Sequence, residues 1–182
     1  MAHTIRLLSP NDATELTRLL RANRAFLAPW DPIREDSYFA EAGQLKFAAD
    51  ALLAYAAGRM VPLLIVSPEG KIAGQLNLNG IVRGAFQSAT LGYWVAEELN
   101  GRGLATAAVA EAVALAFGTL GLHRVEAGTL VHNVASQRVL SKNGFERFGV
   151  APAYLNIAGT WQDHVLFQRT TSPSAEASAE SA

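Results

Sequence analysis

Three apolar segments in the middle of the chain, separated by turns, constrain the fold more than any other feature. Residues 62–66, 72–82 and 90–95 have the lengths of β-strands, and residues 72–82 alternate apolar and small or polar side chains. The turn at 67–71 reads Ser-Pro-Glu-Gly-Lys, and a second turn with glycine lies at 84–88. Short turns between consecutive strands predict antiparallel hairpins.

The pattern then changes to alternating helices and strands. Outside the hairpins we predict strands at 3–8, 123–131, 145–150 and 161–168, and helices starting near Ser9 and spanning 38–57, 103–120 and 133–143. Hairpins followed by a strand–helix–strand unit indicate an α+β fold. Its sheet should be mixed and mostly antiparallel, with helices on both faces, instead of doubly wound and parallel.

Length and composition exclude several classes of protein. The 182 residues predict one domain, at 1–169, and a disordered tail at 170–182 that lacks large apolar residues. A net charge of −1 gives no bulk attraction to nucleic acid or membranes, and no secretory signal or membrane span is visible, so a cytoplasmic protein is expected. The chain has no cysteine, and its four histidines show no metal-ligand spacing, so no metal is expected.

A glycine-containing loop precedes the helix at 103–120. It consists of Asn100, Gly101, Arg102, Gly103, Leu104 and Ala105. A helix N-terminus exposes unpaired N–H groups and the positive end of the helix dipole, and glycine lets an anion approach the backbone closely. The loop therefore predicts a phosphate or pyrophosphate site, with a simple helix-starting turn as the alternative.

Two other phosphate-binding loops fit this segment less well. A Walker loop requires Gly-Lys-Ser or Gly-Lys-Thr, which the chain lacks. A dinucleotide-binding loop requires glycine or alanine where Thr106 stands, although Glu126 lies where a ribose-binding acid is expected. Because the loop follows a meander of strands in mid-chain, a dinucleotide-dependent protein is only an alternative.

Two segments carry a resemblance to a known family. Leu-Gly-Tyr-Trp-Val at 91–95, followed by the loop at 100–106, resembles the acetyl-CoA motif of the GNAT acyltransferase superfamily, and residues 132–145 resemble its downstream companion. The strand with Trp94, the pair Asn133 and Ser136, and Trp-Gln-Asp-His at 161–164 further resemble the ribosomal-protein alanine N-acetyltransferases of the RimJ and RimL type. One departure is Asn100, where that family usually has arginine or glutamine.

The resemblance implies acetyl-CoA as co-substrate and a sheet that splays beside the strand at 90–95. The pantetheine arm would pair with backbone near Trp94 and Val95 and contact Asn133, and the pyrophosphate would lie on the loop at 100–105. Ser136 would lie near the sulfur. Candidates for the 3′-phosphate are Arg102, Arg138 and Lys142, each with solvated surface charge as the alternative.

Chemistry limits what Asn133 and Ser136 do. Asn133 is also the expected N-cap of the helix at 133–143. Attack of an amine on a thioester gives an oxyanion, which a backbone N–H near Val95 would stabilise, and then a thiolate with a pKa of about 8.5 if it resembles a cysteine thiol. Such a leaving group needs little acid help, so Ser136 is predicted to donate a hydrogen bond or relay a proton.

The general base is the open part of the predicted site. RimL-type relatives carry glutamate before the Tyr-Leu-Asn segment at 154–156, where this chain has Ala153. The candidates are Asp163, named here as the catalytic carboxylate, and His164, Glu97 or a water chain. Since Asp163 and His164 alternate along a strand, at most one of them faces the cleft.

The acceptor is predicted to be an α-amino group, with a ribosomal-protein N-terminus as one candidate. An α-amine has a pKa of about 7.7–8.0 and lysine about 10.4, so a site without a strong base suits the α-amine. The resemblance places Asn23, Trp30 and Tyr38 on the acceptor side. Alternatives are a small-molecule amine or a non-catalytic acetyl-CoA-binding module, and the sequence allows a monomer or a homodimer.

Overall fold

One seven-stranded sheet runs through the protein in a computed structural model, which describes residues 4–171. The strands are β1 (Ile5–Leu7), β2 (Val61–Val66), β3 (Ile72–Val82), β4 (Ser88–Val95), β5 (Arg124–Leu130), β6 (Glu146–Ile157) and β7 (Thr160–Thr170). Their order is β1-β2-β3-β4-β5-β7-β6, and every neighbouring pair is antiparallel except β4 and β5. The predicted mixed, mostly antiparallel sheet is therefore confirmed.

Helices cover both faces of the sheet, as predicted. They are α1 (Ala13–Ala22), α2 (Arg24–Leu27), α3 (Glu41–Ala56), α4 (Leu104–Phe117) and α5 (Val134–Lys142). One apolar cluster joins α4 and α5 to the sheet through residues such as Val109 and Leu140. A second cluster joins α1 and α3 to the opposite face through Leu16, Ala48 and Leu64. Burial of apolar side chains on both faces fixes the sheet between two layers of helix.

Three predicted boundaries differ by three residues or more, one of them the end of the helix predicted at 103–120, which stops at Phe117. The helix predicted at 38–57 begins at Glu41, because Asp36–Phe39 form a 3₁₀ turn whose Tyr38 carbonyl accepts a hydrogen bond from Gln44 Nε2 at 2.6 Å. The strand predicted at 145–150 continues as β6 to Ile157. Periodicity missed this extension because β6 contains a bulge between Ala151 and Leu155, which interrupts the alternation.

The C-terminal boundary also differs slightly from the prediction. Strand β7 ends at Thr170, one residue beyond the predicted domain, and the N–H of Thr171 donates to the carbonyl of His123 at 2.9 Å. The remainder of the predicted disordered tail, 172–182, lies outside the described residues. Within residues 4–171, none of the helices has the length and apolar character needed to cross a membrane.

Candidate active site

A cleft opens where the parallel strands β4 and β5 diverge. The two strands pair over only three positions, from Ser88 with Arg124 to Thr90 with Glu126. Beyond Thr90 they separate, and the cleft between them has a volume of about 340 Å³. Its walls include Leu91, Gly92 and Tyr93 of β4, residues 127–130 of β5, and Asn133 and Ser136 beside them. The β4 backbone that faces β5 therefore has no strand partner there, and can accept an extended ligand.

The glycine loop has the geometry of an anion site at a helix start. Gly101 and Gly103 have φ values of 75° and 81°, which side chains rarely adopt, and Gly103 is the N-cap of α4. A Cβ added to either glycine would meet no atom within 4 Å, so the backbone conformation, and not lack of space, requires glycine. No side chain caps α4, which leaves its first N–H groups available to a ligand.

The first turn of α5 connects the cleft to β4. Asn133 is the N-cap, as predicted, and its Oδ1 accepts a hydrogen bond from the Ser136 N–H at 3.0 Å. Ser136 Oγ lies 2.9 Å from the Tyr93 hydroxyl. Burial raises the pKa of Tyr93 to about 12, so this phenol stays neutral near pH 7.

Sequence reasoning missed Tyr93 as a site residue, although a signal was present. Along β4, Leu91, Tyr93 and Val95 alternate onto one face, and all three contribute to the apolar cluster that α4 and α5 cover. Trp94 points to the opposite face, where its indole N–H donates to Gln75 Oε1 at 3.1 Å. Trp94 and Val95, the two predicted backbone contacts, are not among the residues that line the cleft, and their contact with the pantetheine arm stays a prediction.

Of the three predicted acceptor-side residues, only Trp30 lines the cleft. It does so with its neighbours Asp31 and Pro32, and its ring lies 5.5 Å from the ring of His132. The carbonyl of Asp31 accepts a hydrogen bond from the Ala158 N–H at 3.0 Å. This contact fastens the loop after α2 to the β6–β7 hairpin, so the loop forms one wall of the cleft.

Asn23 and Tyr38 do not line the cleft, which corrects the prediction for both. The Asn23 amide donates to the Leu19 carbonyl at 2.9 Å, and its Oδ1 accepts from the Glu97 N–H at 2.8 Å. Asn23 therefore holds the 3₁₀ turn Glu97–Leu99 that leads into the glycine loop. Tyr38 packs in the cluster of α1 and α3, where burial raises its pKa and the Arg34 guanidinium lies 4.9 Å from its ring centroid.

Asp163 and His164 lie on opposite faces of β7, as predicted, but the cleft contains the histidine. Asp163 is exposed and its Oδ1 accepts a hydrogen bond from the Ala153 N–H at 2.8 Å. The catalytic role predicted for Asp163 does not fit this position, because its carboxylate is used to hold the β6 bulge. His164 is buried and lines the cleft, while Glu97 is exposed outside it.

The predicted basic residues lie on the surface. Arg102, Arg138 and Lys142 are all exposed. Lys142 ends α5, and the next residue, Asn143, donates from Nδ2 to the Thr106 carbonyl at 3.2 Å, which joins this end of α5 to the first turn of α4. In the part of the chain that the structure describes, no cluster of three or more His, Asp or Glu side chains is placed to hold a metal ion.

A splayed mixed sheet with a glycine loop at a helix N-terminus defines a class of acyltransferases. The family model described as Acetyltransferase (GNAT) domain matches residues 3–146, and the chain belongs to this family. The protein is an N-acetyltransferase, and this membership removes the dinucleotide-dependent alternative.

Its relatives are ribosomal and other N-acetyltransferases. The chain is 34% identical to [Ribosomal protein uS5]-alanine N-acetyltransferase of Escherichia coli (strain K12), over 92% of this chain and 87% of the relative. It is 35% identical to Probable N-acetyltransferase YjcK of Bacillus subtilis (strain 168), over 88% and 89% of the two chains.

Two solved structures share the fold closely. Ribosomal-protein-S5-alanine acetyltransferase from Vibrio fischeri superposes with a TM-score of 0.89 at 29% identity, covering 93% of each chain. Mycobacterium smegmatis RimJ in complex with CoA-disulfide superposes with a TM-score of 0.88 at 33% identity, covering 92% of this chain and 81% of that one.

Proposed function

We propose that the protein transfers an acetyl group from acetyl-CoA to the α-amino group of a protein N-terminus. The observation that carries the proposal is the cleft between β4 and β5, together with the glycine loop at the uncapped N-terminus of α4. The ribosomal-protein alanine acetyltransferases among the relatives support the same class of acceptor. A ribosomal acceptor would place the reaction in the cytoplasm.

The residues of the cleft and loop fit acetyl-CoA. The uncapped N-terminus of α4 and the left-handed Gly101 and Gly103 suit a pyrophosphate, and the β4 edge suits the two amides of a pantetheine arm. Thr129 Oγ1 lines the same cleft, is buried, and has no hydrogen-bond partner within residues 4–171. Because an unpaired buried hydroxyl is costly, it suggests a polar ligand partner. Acetyl-CoA would supply the activated acetyl group as a thioester.

Ser136 and Tyr93 are placed to assist the leaving group. In the reaction the amine nitrogen forms a bond to the acetyl carbon, and the bond from that carbon to sulfur breaks. The Ser136 hydroxyl, with Tyr93 beside it, can donate a hydrogen bond to the thiolate and pass a proton to it. The Tyr93 hydroxyl stays protonated during this step, because burial raises the pKa of Tyr93 to about 12.

The acceptor wall favours an extended N-terminal segment. The cleft walls include the apolar side chains of Trp30 and Pro32 from the loop after α2 and of Leu155 and Ile157 from β6, and Asp31 adds one carboxylate. The amine of a free N-terminus is attached directly to the peptide backbone, so no long side chain has to enter the cleft. This amine is also partly unprotonated near neutral pH. A lysine side chain, with a pKa of about 10.4, needs a stronger base.

The test is turnover of acetyl-CoA against a panel of amines. The panel contains peptides that start with Ala or Ser, a peptide with a blocked N-terminus and one lysine, and small amines. We expect kcat/KM for an Ala or Ser peptide to exceed that for the lysine peptide by at least about tenfold at pH 7.5, following the difference in amine pKa. Preferred acetylation of a small amine would instead support the small-molecule alternative.

A further inference from the structure

His164, one of the candidate bases in the sequence, is a buried titratable side chain at the cleft. It is 3% exposed and lies on β7, paired with Leu130 of β5 and Ala151 of β6. Directly paired residues of antiparallel strands share a face. His164 therefore faces away from its neighbour Val165, which packs in the cluster of α4 and α5. It enters the cleft from the face that the Trp30 loop borders, opposite to Ser136.

One hydrogen bond fixes which ring nitrogen of His164 carries a proton. Nδ1 lies 2.9 Å from the Gln162 carbonyl oxygen. Because a carbonyl only accepts, Nδ1 must be the protonated nitrogen, and in the neutral imidazole Nε2 is left with a free lone pair. A second ring nitrogen oriented in this way is the arrangement of a histidine that accepts protons.

The edge of the ring that carries Nε2 is turned toward β5. A Cβ built on Gly128 would lie 3.6 Å from His164 Cδ2, the atom bonded to Nε2, and 3.6 Å from Tyr154 Cε1. Gly128 thus leaves space beside Nε2 on the cleft wall. Gly92 of β4 lines the same cleft and also has no side chain to fill it.

The bulge in β6 brings a second aromatic ring beside His164. Ala153 has φ 45°, and Asp163 Oδ1 holds its N–H, after which Tyr154 places its ring 5.5 Å from the His164 ring. The titratable groups around the cleft are Tyr93 of β4, Tyr154 of β6 and Asp31 of the loop after α2, with His132 beside Trp30, whereas Gly128 and Leu130 of β5 contribute none.

We propose that His164 is the general base that removes a proton from the acceptor amine, an inference that rests on the proposed function. Nε2 takes one proton from the ammonium group, and the free amine then forms its bond to the acetyl carbon as the bond to sulfur breaks. The second amine proton passes to the thiolate on the Ser136 side. The imidazolium returns its proton to water, so each cycle yields an amide, a thiol and one proton.

The test compares His164→Asn with the wild-type enzyme. The Asn amide can still donate to the Gln162 carbonyl, as Nδ1–H does, but has no group that accepts a proton near pH 7. We expect kcat at pH 7 to fall about 100-fold, the lower part of the usual range for general base catalysis. Acetyl-CoA affinity and the melting temperature should change little.

The pH profile separates a base from a structural histidine. The deficit of His164→Asn should shrink at least about tenfold between pH 7 and 9.5, because the α-amine then loses its proton to solvent. A loss that stays equal at every pH, or a kcat within threefold of wild type throughout, would overturn the proposal. His123→Asn is the control, since His123 is exposed at the far end of β5, and its profile should match wild type.

A measurement on the wild-type protein covers the case in which the variant does not fold. With only four histidines in the chain, ¹⁵N-resolved NMR can assign the His164 ring, whose neutral form should carry its proton on Nδ1. A neutral His164 ring with its proton on Nε2 instead of Nδ1 would contradict the proposal. The kinetic comparison uses whichever amine the wild type acetylates best, so rejection of N-terminal peptides would refute the acceptor class without deciding the role of His164.

Discussion

Tyr93 on β4 and Ser136 on α5 meet across the cleft although 43 residues separate them in the chain. The Ser136 carbonyl also lies 3.3 Å from the Tyr93 hydroxyl. This contact ties the first turn of α5 to the strand that borders the cleft. Tyr93 therefore positions the Ser136 hydroxyl, the group proposed to assist the leaving thiolate.

Tyr93→Phe should lower kcat by roughly 2- to 10-fold, the value of one neutral hydrogen bond of about 0.5–1.5 kcal/mol, with little change in KM for the peptide. The ring still fills its place in the core. In a double-mutant cycle with Ser136→Ala, the second substitution should add almost nothing, as measured by steady-state kinetics. Fully additive losses would show that Tyr93 does not act through Ser136. Tyr55→Phe, on an exposed position of α3, is the control.

The buried phenol also predicts an alkaline limit to stability. Since the folded pKa of Tyr93 is about 12 and the ordinary value is 10.0, the folded state holds this proton more tightly than the unfolded state. The contribution is complete below pH 10 and is lost as pH rises toward 12. Urea unfolding at pH 9 and pH 11 should show a smaller decrease in stability for Tyr93→Phe than for wild type; an equal decrease would contradict the assignment.

The glycine loop before α4 was predicted from the sequence to bind a phosphate or pyrophosphate. Gly103→Ala should lose about 1–2 kcal/mol of stability, because alanine disfavours φ 81°. If the loop relaxes to negative φ, the N–H groups of α4 turn away from the pyrophosphate. We then expect CoA affinity, measured by calorimetry, to fall at least about tenfold, or about 1.4 kcal/mol.

Gly58→Ala is a matched control for this loop. Gly58 has φ 68° in a turn after α3, and a Cβ added to it would likewise meet no atom within 4 Å. It should lose comparable stability while binding CoA as wild type does. If both variants bind CoA normally, the loop is a turn that starts a helix and no more.

The hydrogen bond from the Ala153 N–H to Asp163 predicts that Asp163 stabilises the β6 bulge. Asp163→Asn keeps an oxygen that can accept from the Ala153 N–H and should retain kcat within about threefold, whereas Asp163→Ala should lose about 1 kcal/mol of stability. Chemical denaturation and kinetics on the two variants measure this difference. A loss of activity near 100-fold in Asp163→Asn would instead support the catalytic role that the sequence predicted for Asp163.

Elements determined by local chemistry could be predicted, and contacts between distant segments could not. Strand β3 alternates regularly and was predicted with its observed bounds, Ile72–Val82, and the Asn133 cap depends on residues within one turn. The bulge in β6 breaks the period of 2, so its length was underestimated. The family resemblance assigned Asn23 and Tyr38 to the acceptor side, and the sequence did not show that their side chains turn into the packing of the N-terminal helices.

At the scale of the whole molecule, the sheet consists of two parts joined by a short seam. Strands β1 to β4 form one part, and β5, β7 and β6 form the other, with only three paired positions between β4 and β5. The site needs both parts, because Tyr93 comes from the first and Ser136 and His164 from the second. This explains why family motifs occur on both sides of the seam.

The short seam also means that binding of the co-substrate can be followed by hydrogen–deuterium exchange of the β4 amides. The amides of Tyr93 and Val95 point toward β5 beyond the last paired position, Thr90 with Glu126, and have no strand partner there, so they should exchange quickly in the free enzyme. If acetyl-CoA lies along β4 as an added strand, these amides should slow by at least about tenfold, as mass spectrometry or NMR would show. Amides of β2 should not respond, and unchanged rates along β4 would mean that the co-substrate takes another path.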